Sequence, residues 1–368
     1  PALTRTFIEI LSNAIDNIER SKDVKNKMSY IKVHLSQTDC EIINDGSIIP
    51  IVINEKENIY NHTLIFGHLL SGSNYNDSEK RYTSGRNGLG AKLTNVLSKS
   101  FSVEGVDPER KLKFEQTWTN NMKETSGPKI TKTSRLTGYT SIKWSWDCNW
   151  FKPGMRQIPE DIIDLFGMYV LNAAMLSELN VQLNGLKLPN KLTKYFELFD
   201  DGTTTILKLE NEHSKVFITS SLTNEFETIS FVNGIQTKNG GKHVNAWVEA
   251  VCRPIIDSLK IKTTLKDVKP YFRFLIVTRV PNPEFEGQEK NELKSPNIDA
   301  QSITSSQVSK IMKSKIGDNL KALIQTKDDK LIAKAVSTNT FIDIKGYNKA
   351  NNAGVKKGSE CILIVCEG

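Results

Sequence analysis

The sequence predicts two mixed α/β domains in series, an α+β / α/β fold class. The chain has 368 residues, which is about twice the usual size of one domain. Hydrophobic residues make up 38% and charged residues 25%, the balance of a folded globular protein. Helical and strand periodicities alternate along the chain and begin again near residue 190, where we therefore place a domain boundary.

The composition excludes several other classes of protein. No stretch approaches the length of apolar sequence that spans a membrane, and the N-terminus lacks the pattern of a signal peptide. The five cysteines are scattered and the five histidines show no zinc spacing, so we expect neither a disulfide framework nor a zinc site. The net charge of +7 is compatible with a polyanionic partner. We expect an intracellular protein with no membrane partner.

The first domain is predicted to begin with an amphipathic helix, because apolar residues recur at helical spacing over residues 3–20. Its later elements are predicted to be strands at 31–35 and 40–43, a polar loop over 54–84, a passage from glycines into a helix over 87–99, strands over 110–150, a helix over 159–180 and a hairpin over 181–188. The hairpin prediction depends on Asn184-Gly185, a dipeptide typical of two-residue β-turns.

The second domain is predicted to contain strands to about residue 235, a helix over 243–259, a basic loop over 260–269, a strand over 271–280 and helical residues over 296–334. A polar linker over 337–358 and an apolar strand over 361–366 follow. Because that strand is followed only by Glu367-Gly368, we expect the chain to be a piece of a longer protein, cut at the first element of another domain.

The first polar motif lies on the N-terminal helix. Glu9, Asn13, Asp16 and Asn17 fall within an arc of about 100° opposite the apolar stripe. A solvated helix face is the simple alternative, but this face carries only carboxylates and carboxamides, and Asn is a poor helix former. A Glu with an Asn one turn further on is suited to activating a water and to holding Mg²⁺.

Two glycine-containing motifs follow. Asn44–Pro50 comes directly after an apolar strand, where it could equally be an ordinary turn. The run from Gly85 to Lys92 leads into a helix, and backbone N–H groups of such a loop form a natural phosphate cradle. It is not a Walker A loop, because Lys92 is not followed by Ser or Thr. It is not a dinucleotide fingerprint, because Leu93 stands where the third glycine belongs.

The order and spacing of these three motifs resemble the nucleotide site of the GHKL ATPases. More closely, they resemble the ATPase region of eukaryote-type (including viral) type IIA DNA topoisomerases. The similar segments are Ile65–Tyr75, Gly85–Lys92, Phe231–Gly234, Gly240–His243, Ala353-Gly354 and Glu360-Cys361. Together with the helix motif, they extend the resemblance over essentially the whole chain.

The resemblance implies a GHKL (Bergerat) ATPase sandwich over 1–190, N-terminally truncated, with a mostly antiparallel sheet. It implies a transducer domain over 191–340, with a four-stranded sheet and a βαβ crossover. Residues 341–368 would be a linker and the first strand of a truncated TOPRIM domain, with Glu367 as a Mg²⁺ ligand of the DNA-cleaving site. The DNA-cleaving Tyr is not in this chain.

The resemblance implies that Glu9 is the general base and that Asn13 is a ligand of the ATP-bound Mg²⁺. Asn44 fills the position that reads adenine, whereas its neighbour Asp45 does not. The remaining residues expected to bind ATP are Asp16, Asn17, Gly46, Ser73, Asn74, Gly85, Arg86, Asn87, Gly88, Leu89, Gly90, Ala91 and Lys92.

In members of this family, a Gln-Thr-Lys loop of the transducer contacts the γ-phosphate. The literal string Gln236–Lys238 has the wrong sequence context, so we predict Gln288 and Lys290 as the sensor, with Glu289 in place of Thr. Other departures from the family pattern are Ile48 in place of a second glycine, Gly72 in place of a small hydroxyl residue, and the missing N-terminal strap.

The function implied is an ATP-operated gate, in which ATP closes a homodimer around double-stranded DNA in a nucleus or a viral replication site. Lys260, Lys262 and Lys266 are expected to contact DNA phosphates, although an ordinary solvated loop is the alternative. Two other functions remain open. One is a different GHKL ATPase, such as a mismatch-repair clamp or a chaperone, and the other is a nucleotide-binding clamp module that does not hydrolyse ATP.

Overall fold

The computed structural model describes residues 2–24, 26–68, 90–199, 205–259, 263–287, 289–338, 350–352, 356, 358–362 and 364, with only the backbone at 199 and 328–338. The chain divides into two compact units, Pro1–Gly317 and Asp318–Gly368. Both sheets and the candidate site lie in the first unit. In the described part of the chain, no helix combines the length and hydrophobicity that crossing a membrane requires.

The N-terminal part of the first unit is a nine-stranded sheet with helices packed on it. Its strands are β1 (Tyr30–Leu35), β2 (Asp39–Asn44), β3 (Ser98–Asp107), β4 (Leu112–Thr119), β5 (Glu124–Thr125), β6 (Lys129–Lys132), β7 (Tyr139–Trp146), β8 (Asn180–Leu183) and β9 (Leu186–Lys187). Their order is β5-β4-β3-β7-β2-β1-β8-β9, and β6 also pairs with β4. Within this sheet β1 and β8 are parallel, whereas the other pairs are antiparallel. The mostly antiparallel sheet predicted for this region is confirmed.

The helices of this part are α1 (Ala2–Arg20), α2 (Asn61–Gly67), α3 (Gly90–Val96), α4 (Cys148–Phe151) and α5 (Glu160–Ser177). The apolar stripe of α1 packs into the core, where Phe7 stacks on Phe166 of α5 with ring centroids 4.3 Å apart. On the predicted polar face of α1, Glu9 and Asn13 are partly exposed, whereas Asp16 and Asn17 are buried.

The predicted hairpin joins β8 and β9. Asn184 and Gly185 have positive φ angles of 49° and 82°, as a two-residue turn between twisted strands requires. The Asn184 side chain also accepts from the backbone N–H of Leu35 (2.8 Å) and donates to its carbonyl oxygen (3.0 Å). The turn is therefore fixed to the neighbouring strand.

A second, five-stranded sheet follows, in the order β10-β11-β14-β12-β13. Its strands are β10 (Leu207–Glu210), β11 (Ser214–Ser220), β12 (Glu227–Val232), β13 (Ile235–Gln236) and β14 (Phe272–Thr278). Parallel strands β12 and β14 are connected through helix α6 (Lys242–Ser258), which is the predicted βαβ crossover. The sheet has five strands rather than the predicted four because the two-residue β13 folds back on β12.

The remaining elements of the described chain are short, apart from one helix. They are the hairpin of β15 (Glu284–Phe285) with β16 (Leu293–Ser295), helices α7 (Leu265–Val268), α8 (Ser305–Met312) and α9 (Lys315–Thr338), and 3₁₀ turns at Leu192–Phe199, Lys269–Tyr271 and Gly358–Glu360.

Three predicted elements were wrong. The polar loop at 54–84 contains α2, and the basic loop at 260–269 contains α7, which begins with a Thr264–Asp267 capping box. Helix α8 begins only at Ser305, not at 296, because Thr304 and Gln307 form a capping box that fixes the helix start there. In the predicted final strand, the described positions 361, 362 and 364 are not in a strand, and the TOPRIM assignment stays a prediction.

Candidate active site

The Glu9 carboxylate lies directly against the first residue of α3. A Cβ atom added to Gly90 would be 2.6 Å from the carboxyl carbon of Glu9, well inside ordinary carbon–carbon contact. Helix α3 is held there because Thr94 Oγ1 donates to the Thr6 carbonyl of α1 (2.9 Å) and Asn95 donates to the Phe66 carbonyl (3.0 Å). The structure thus brings the predicted general base to the end of the predicted phosphate loop.

Arg5, one helical turn before Glu9, holds one oxygen of that carboxylate. Arg5 Nη2 lies 2.5 Å from Glu9 Oε1, and the two side chains are 25% and 19% exposed. The other oxygen, Oε2, is the one nearest to Gly90. The sequence prediction missed this ion pair, although its i, i+4 spacing is a pattern that indicates such pairs.

Lys290 lies half-buried in the loop between β15 and β16, with a left-handed backbone (φ 58°). Burial lowers the pKa of its ammonium group, the Glu9 and Asp16 carboxylates oppose this shift, and Arg5 adds to it. Lys290 of the second domain therefore interacts electrostatically with Glu9 and Asp16 of α1. Its predicted partner in sensing, Gln288, lies outside the described residues.

The loop that carries Lys290 is fixed to the turn before α6. The Leu293 N–H donates to the Gly240 carbonyl (3.1 Å), and the Asn239 N–H donates to the Asn291 carbonyl (2.9 Å). Gly241 has a φ of 128°, and a Cβ there would lie 2.9 Å from the Cα of Leu293. Only glycine allows the two backbones to approach so closely.

The turn after β2 is tied to α1 by its backbone. The side-chain amides of Asn17 and Asn44 both donate to the Asp45 carbonyl, at 2.8 and 2.9 Å. The Asp45 carboxylate accepts from the N–H groups of Ser29 (2.8 Å) and Tyr30 (3.0 Å). Asp45 therefore stabilises the turn, and the assignment of Asn44 rather than Asp45 as the adenine reader stays a prediction.

Gly46 is the glycine that this turn requires. Its φ is 97°, and an added Cβ would be 2.8 Å from the Cβ of Met28. The following residue is held as well, since the Ser47 N–H donates to Ser21 Oγ at 2.8 Å. The turn after β2 and helix α1 are therefore held together by hydrogen bonds.

The other predicted site residues are divided between described and undescribed parts. Asn13 is half-buried on α1, Lys92 is 1% exposed on α3, where burial lowers the pKa of its ammonium group, and Lys266 is exposed on α7. Ser73, Asn74, Gly85, Arg86, Asn87, Gly88, Leu89, Lys260, Lys262 and Glu367 lie outside the described residues. No cluster of three His, Cys, Asp or Glu side chains is found where side chains are described.

The string Gln236–Lys238 lies on and after β13, in the hairpin with β12. Thr237 is buried, with its hydroxyl 2.6 Å from Ser230 Oγ and 3.2 Å from His243 Nε2. This network attaches the hairpin to α6. The string is thus part of the transducer framework, while the loop with Lys290 interacts with Glu9.

The chain is similar in sequence and fold to several known proteins. The family model for DNA gyrase B matches residues 190–340. The DNA topoisomerase 2 of Invertebrate iridescent virus 6 is 40% identical over all of this chain, which spans 35% of that relative. The ATPase region of Saccharomyces cerevisiae topoisomerase II is 34% identical, with a TM-score of 0.80 over 88% of this chain and 86% of that one. The ATPase and transducer domains of Balamuthia mandrillaris DNA topoisomerase II are 31% identical, with a TM-score of 0.79 over 89% and 86%.

The two sheets with their helices, the βαβ crossover and the structural match define the class as a GHKL ATPase fold joined to a transducer. The family follows from the similarity to the two solved structures over most of their length. The chain belongs to the family of the ATPase region of eukaryote-type type IIA DNA topoisomerases. It spans about a quarter to a third of the length of the curated relatives that it matches.

Proposed function

We propose that this chain binds ATP with Mg²⁺ and hydrolyses it, and that it is the ATP-operated gate of a type II DNA topoisomerase. One observation carries the proposal: the Glu9 carboxylate lies on Gly90 at the start of α3, while Lys290 of the β15–β16 loop interacts electrostatically with the same carboxylate. A base and a cation from two different parts of the fold are thus available to the same phosphate group.

In the proposed mechanism, Glu9 accepts a hydrogen bond from the attacking water and orients it. A positioned base of this kind contributes about 10²–10⁴-fold to a rate. Lys290 stabilises the charge that develops on the γ-phosphoryl oxygens, which is the larger part of phosphoryl-transfer catalysis. Arg5 keeps one Glu9 oxygen in place, so that Oε2 faces the phosphate side.

The residues present fit a Mg²⁺ ion that is shared with the substrate. Mg²⁺ is commonly bound by one or two protein oxygens together with substrate phosphates. Asn13, one turn beyond Glu9 on α1, would supply a carboxamide oxygen, and the ion would neutralise phosphate charge. Asn44, on the turn held by Asp45, would read the adenine. Ser73, Asn74 and the run from Gly85 to Lys92 would surround the ribose and triphosphate.

We propose that ATP turnover is coupled to DNA passage because the residues that contact the nucleotide come from two different parts of the fold. Glu9 belongs to α1 and Lys290 to a loop fixed on α6, so ATP favours the arrangement in which both contact it, and hydrolysis removes that preference. The name DNA topoisomerase 2 that the relatives carry supports an action on DNA. The gate is proposed to be a homodimer that closes on double-stranded DNA in a nucleus or a viral replication site. Lys260, Lys262 and Lys266 would contact the DNA phosphates.

The test is ATP hydrolysis by the parent chain, Glu9→Gln and Lys290→Met, with Glu19→Gln as a matched control on the same helix. We expect kcat to fall by about 10²–10⁴-fold in Glu9→Gln and to change little in the control, with nucleotide binding retained in both. If the parent hydrolyses ATP no faster than Glu9→Gln, the chain is a clamp module without hydrolysis.

DNA contact is tested separately by measuring DNA affinity against salt concentration. Each lost phosphate contact should reduce the slope of log affinity against log salt by about 0.9. Lys266→Gln should therefore show a shallower slope than the parent, equally for unrelated sequences. An unchanged slope would mean that Lys266 faces only solvent.

A further inference from the structure

The loop that carries Lys290 is attached to the turn that joins β13 to α6, here called the β13–α6 turn. The Asn239 N–H of this turn donates to the Asn291 carbonyl of the loop at 2.9 Å. The Leu293 N–H of the loop donates to the Gly240 carbonyl of the turn at 3.1 Å. Because these bonds lie one and three positions after Lys290, a movement of the turn carries the lysine with it.

The start of the β13–α6 turn is held in place by buried hydrogen bonds. Thr237 and Ser230 are both buried, and the Thr237 N–H donates to the Ser230 carbonyl of β12 at 2.8 Å. The Thr237 hydroxyl lies 2.6 Å from Ser230 Oγ and 3.2 Å from Nε2 of His243, which is in the first turn of α6. The Thr237 carbonyl accepts from Ser230 Oγ and from the Gly240 N–H, both at 3.0 Å. One hydroxyl therefore joins β12, the turn and the start of α6.

The Lys290 loop faces open space on the side of α1. A cavity of about 390 Å³ is lined by Arg5 of α1 and by Glu289 and Asn291, the two neighbours of Lys290. At this point the loop and α1 are separated by the cavity rather than packed on each other, so packing against α1 does not fix the loop there. The attachment to the β13–α6 turn, on the other side of the loop, gains importance for the position of the lysine.

We propose that Thr237 is a positioning residue for Lys290, and that it acts through its hydrogen bonds to Ser230 and His243 and through the β13–α6 turn. Loss of the Thr237 hydroxyl leaves two buried polar groups with one partner fewer, which is unfavourable. The turn shifts to relieve this, and the loop that is bonded to it shifts as well. The effect on ATP turnover rests on the proposed function, whereas the effect on the position of the loop does not.

The proposal predicts an effect on kcat that is separate from stability. In the proposed mechanism Lys290 stabilises charge that develops only during phosphoryl transfer, so a displaced lysine lowers kcat and leaves KM for ATP unchanged. A residue that only stabilises the fold would leave the kcat of the folded molecules unchanged.

The experiment measures ATP hydrolysis and amide hydrogen exchange of the whole chain. In Thr237→Val, which keeps the shape of the side chain and removes the hydroxyl, we expect kcat to fall about 10-fold at unchanged KM. Peptides that cover residues 289–293 should exchange faster than in the parent. Thr237→Ser keeps the hydroxyl and should retain most of the kcat. The control is Ser214→Ala, which removes another buried hydroxyl bond of the same sheet, to Thr278 at 3.0 Å. It should change neither kcat nor exchange in the loop.

Two further variants keep the test decisive. Thermal melting verifies that each variant is folded, and if Thr237→Val is not, Ser230→Ala replaces it as a milder change, with an expected loss of about 3-fold in kcat. In a chain that already carries Lys290→Met, Thr237→Val should cause no further loss of kcat, because both changes remove the action of one group.

Parent-like kcat and parent-like exchange in Thr237→Val would overturn the proposal. Losses that multiply in the double variant would also overturn it, as would exchange that rises equally in all peptides, because Thr237 would then act on the fold as a whole. A parent chain without ATPase activity would refute the proposed function instead, and exchange in the loop would still decide whether Thr237 positions Lys290.

Discussion

Gly90→Ala tests the central geometry with a single added carbon. The new Cβ would lie 2.6 Å from the carboxyl carbon of Glu9 and 3.0 Å from its Cβ, whereas non-bonded carbons prefer about 3.5–4.0 Å. The Glu9 carboxylate must therefore move by about 1 Å. A displacement of that size in a reacting group costs about 10²-fold in rate, or roughly 2.7 kcal/mol of activation free energy.

The assay is steady-state ATP hydrolysis, with thermal melting of the same samples. The matched control is Gly167→Ala in α5, where the added Cβ would lie 3.6 Å from Leu183, an ordinary contact. Replacing a helical glycine in this way should stabilise the protein by about 0.5–1 kcal/mol and leave kcat unchanged. We expect Gly90→Ala to remain folded and lose kcat. Parent-like hydrolysis in Gly90→Ala would refute the contact between Glu9 and α3 as the basis of catalysis.

Three further predictions concern stability. Gly241→Ala should lower the free energy of unfolding by about 1–3 kcal/mol and reduce kcat by displacing the Lys290 loop, measured by urea denaturation and ATPase assay. Gly287→Ala, whose added Cβ meets nothing within 4 Å, should affect kcat less, and equal losses would contradict the argument. Phe7→Ala should lower the free energy of unfolding by about 3–5 kcal/mol, because Phe7 is fully buried. A decrease below 1 kcal/mol would mean that the stack of Phe7 on Phe166 contributes little to stability. Burial lowers the pKa of both His62 and His243 from 6.5 to about 4. As the pH falls, these histidines therefore bind protons in the unfolded chain before they do so in the folded chain. Each histidine should lower the free energy of unfolding by about 1.4 kcal/mol between pH 7.5 and pH 5.5. Urea denaturation at the two pH values measures this loss, and equal stabilities would contradict it.

The order of elements could be predicted because it depends on local patterns, whereas the type of site was predicted from the resemblance of three motifs to a known family. The apolar period of α1, the alternation of β1 and the Asn184-Gly185 turn each have a local physical cause. The positions of Glu9 and Asn13 on one face follow from helix geometry alone. The boundaries of α2, α7 and α8 were missed because short helices depend on caps and on packing against neighbours.

Pairing across domains could not be predicted from local patterns. The sequence contains two strings that end in Lys, Gln236–Lys238 and Gln288–Lys290, and the sequence context around each predicts the second as the sensor. The structure adds where each string lies. Thr237 is buried against Ser230 and His243, while Lys290, in the loop held by Gly240 and Gly241, interacts electrostatically with Glu9.

The sequence by itself determined that α1 has one apolar face and one face of carboxylate and carboxamide side chains, because side-chain direction in a helix depends only on residue spacing. The tertiary structure decided which residues the second face contacts. Gly90 lies against Glu9 because α3 packs on α1 within the N-terminal part of the chain. The electrostatic interaction of Glu9 with Lys290, which is far away in the sequence, exists only once the β15–β16 loop has folded next to α1, and residue spacing does not determine that.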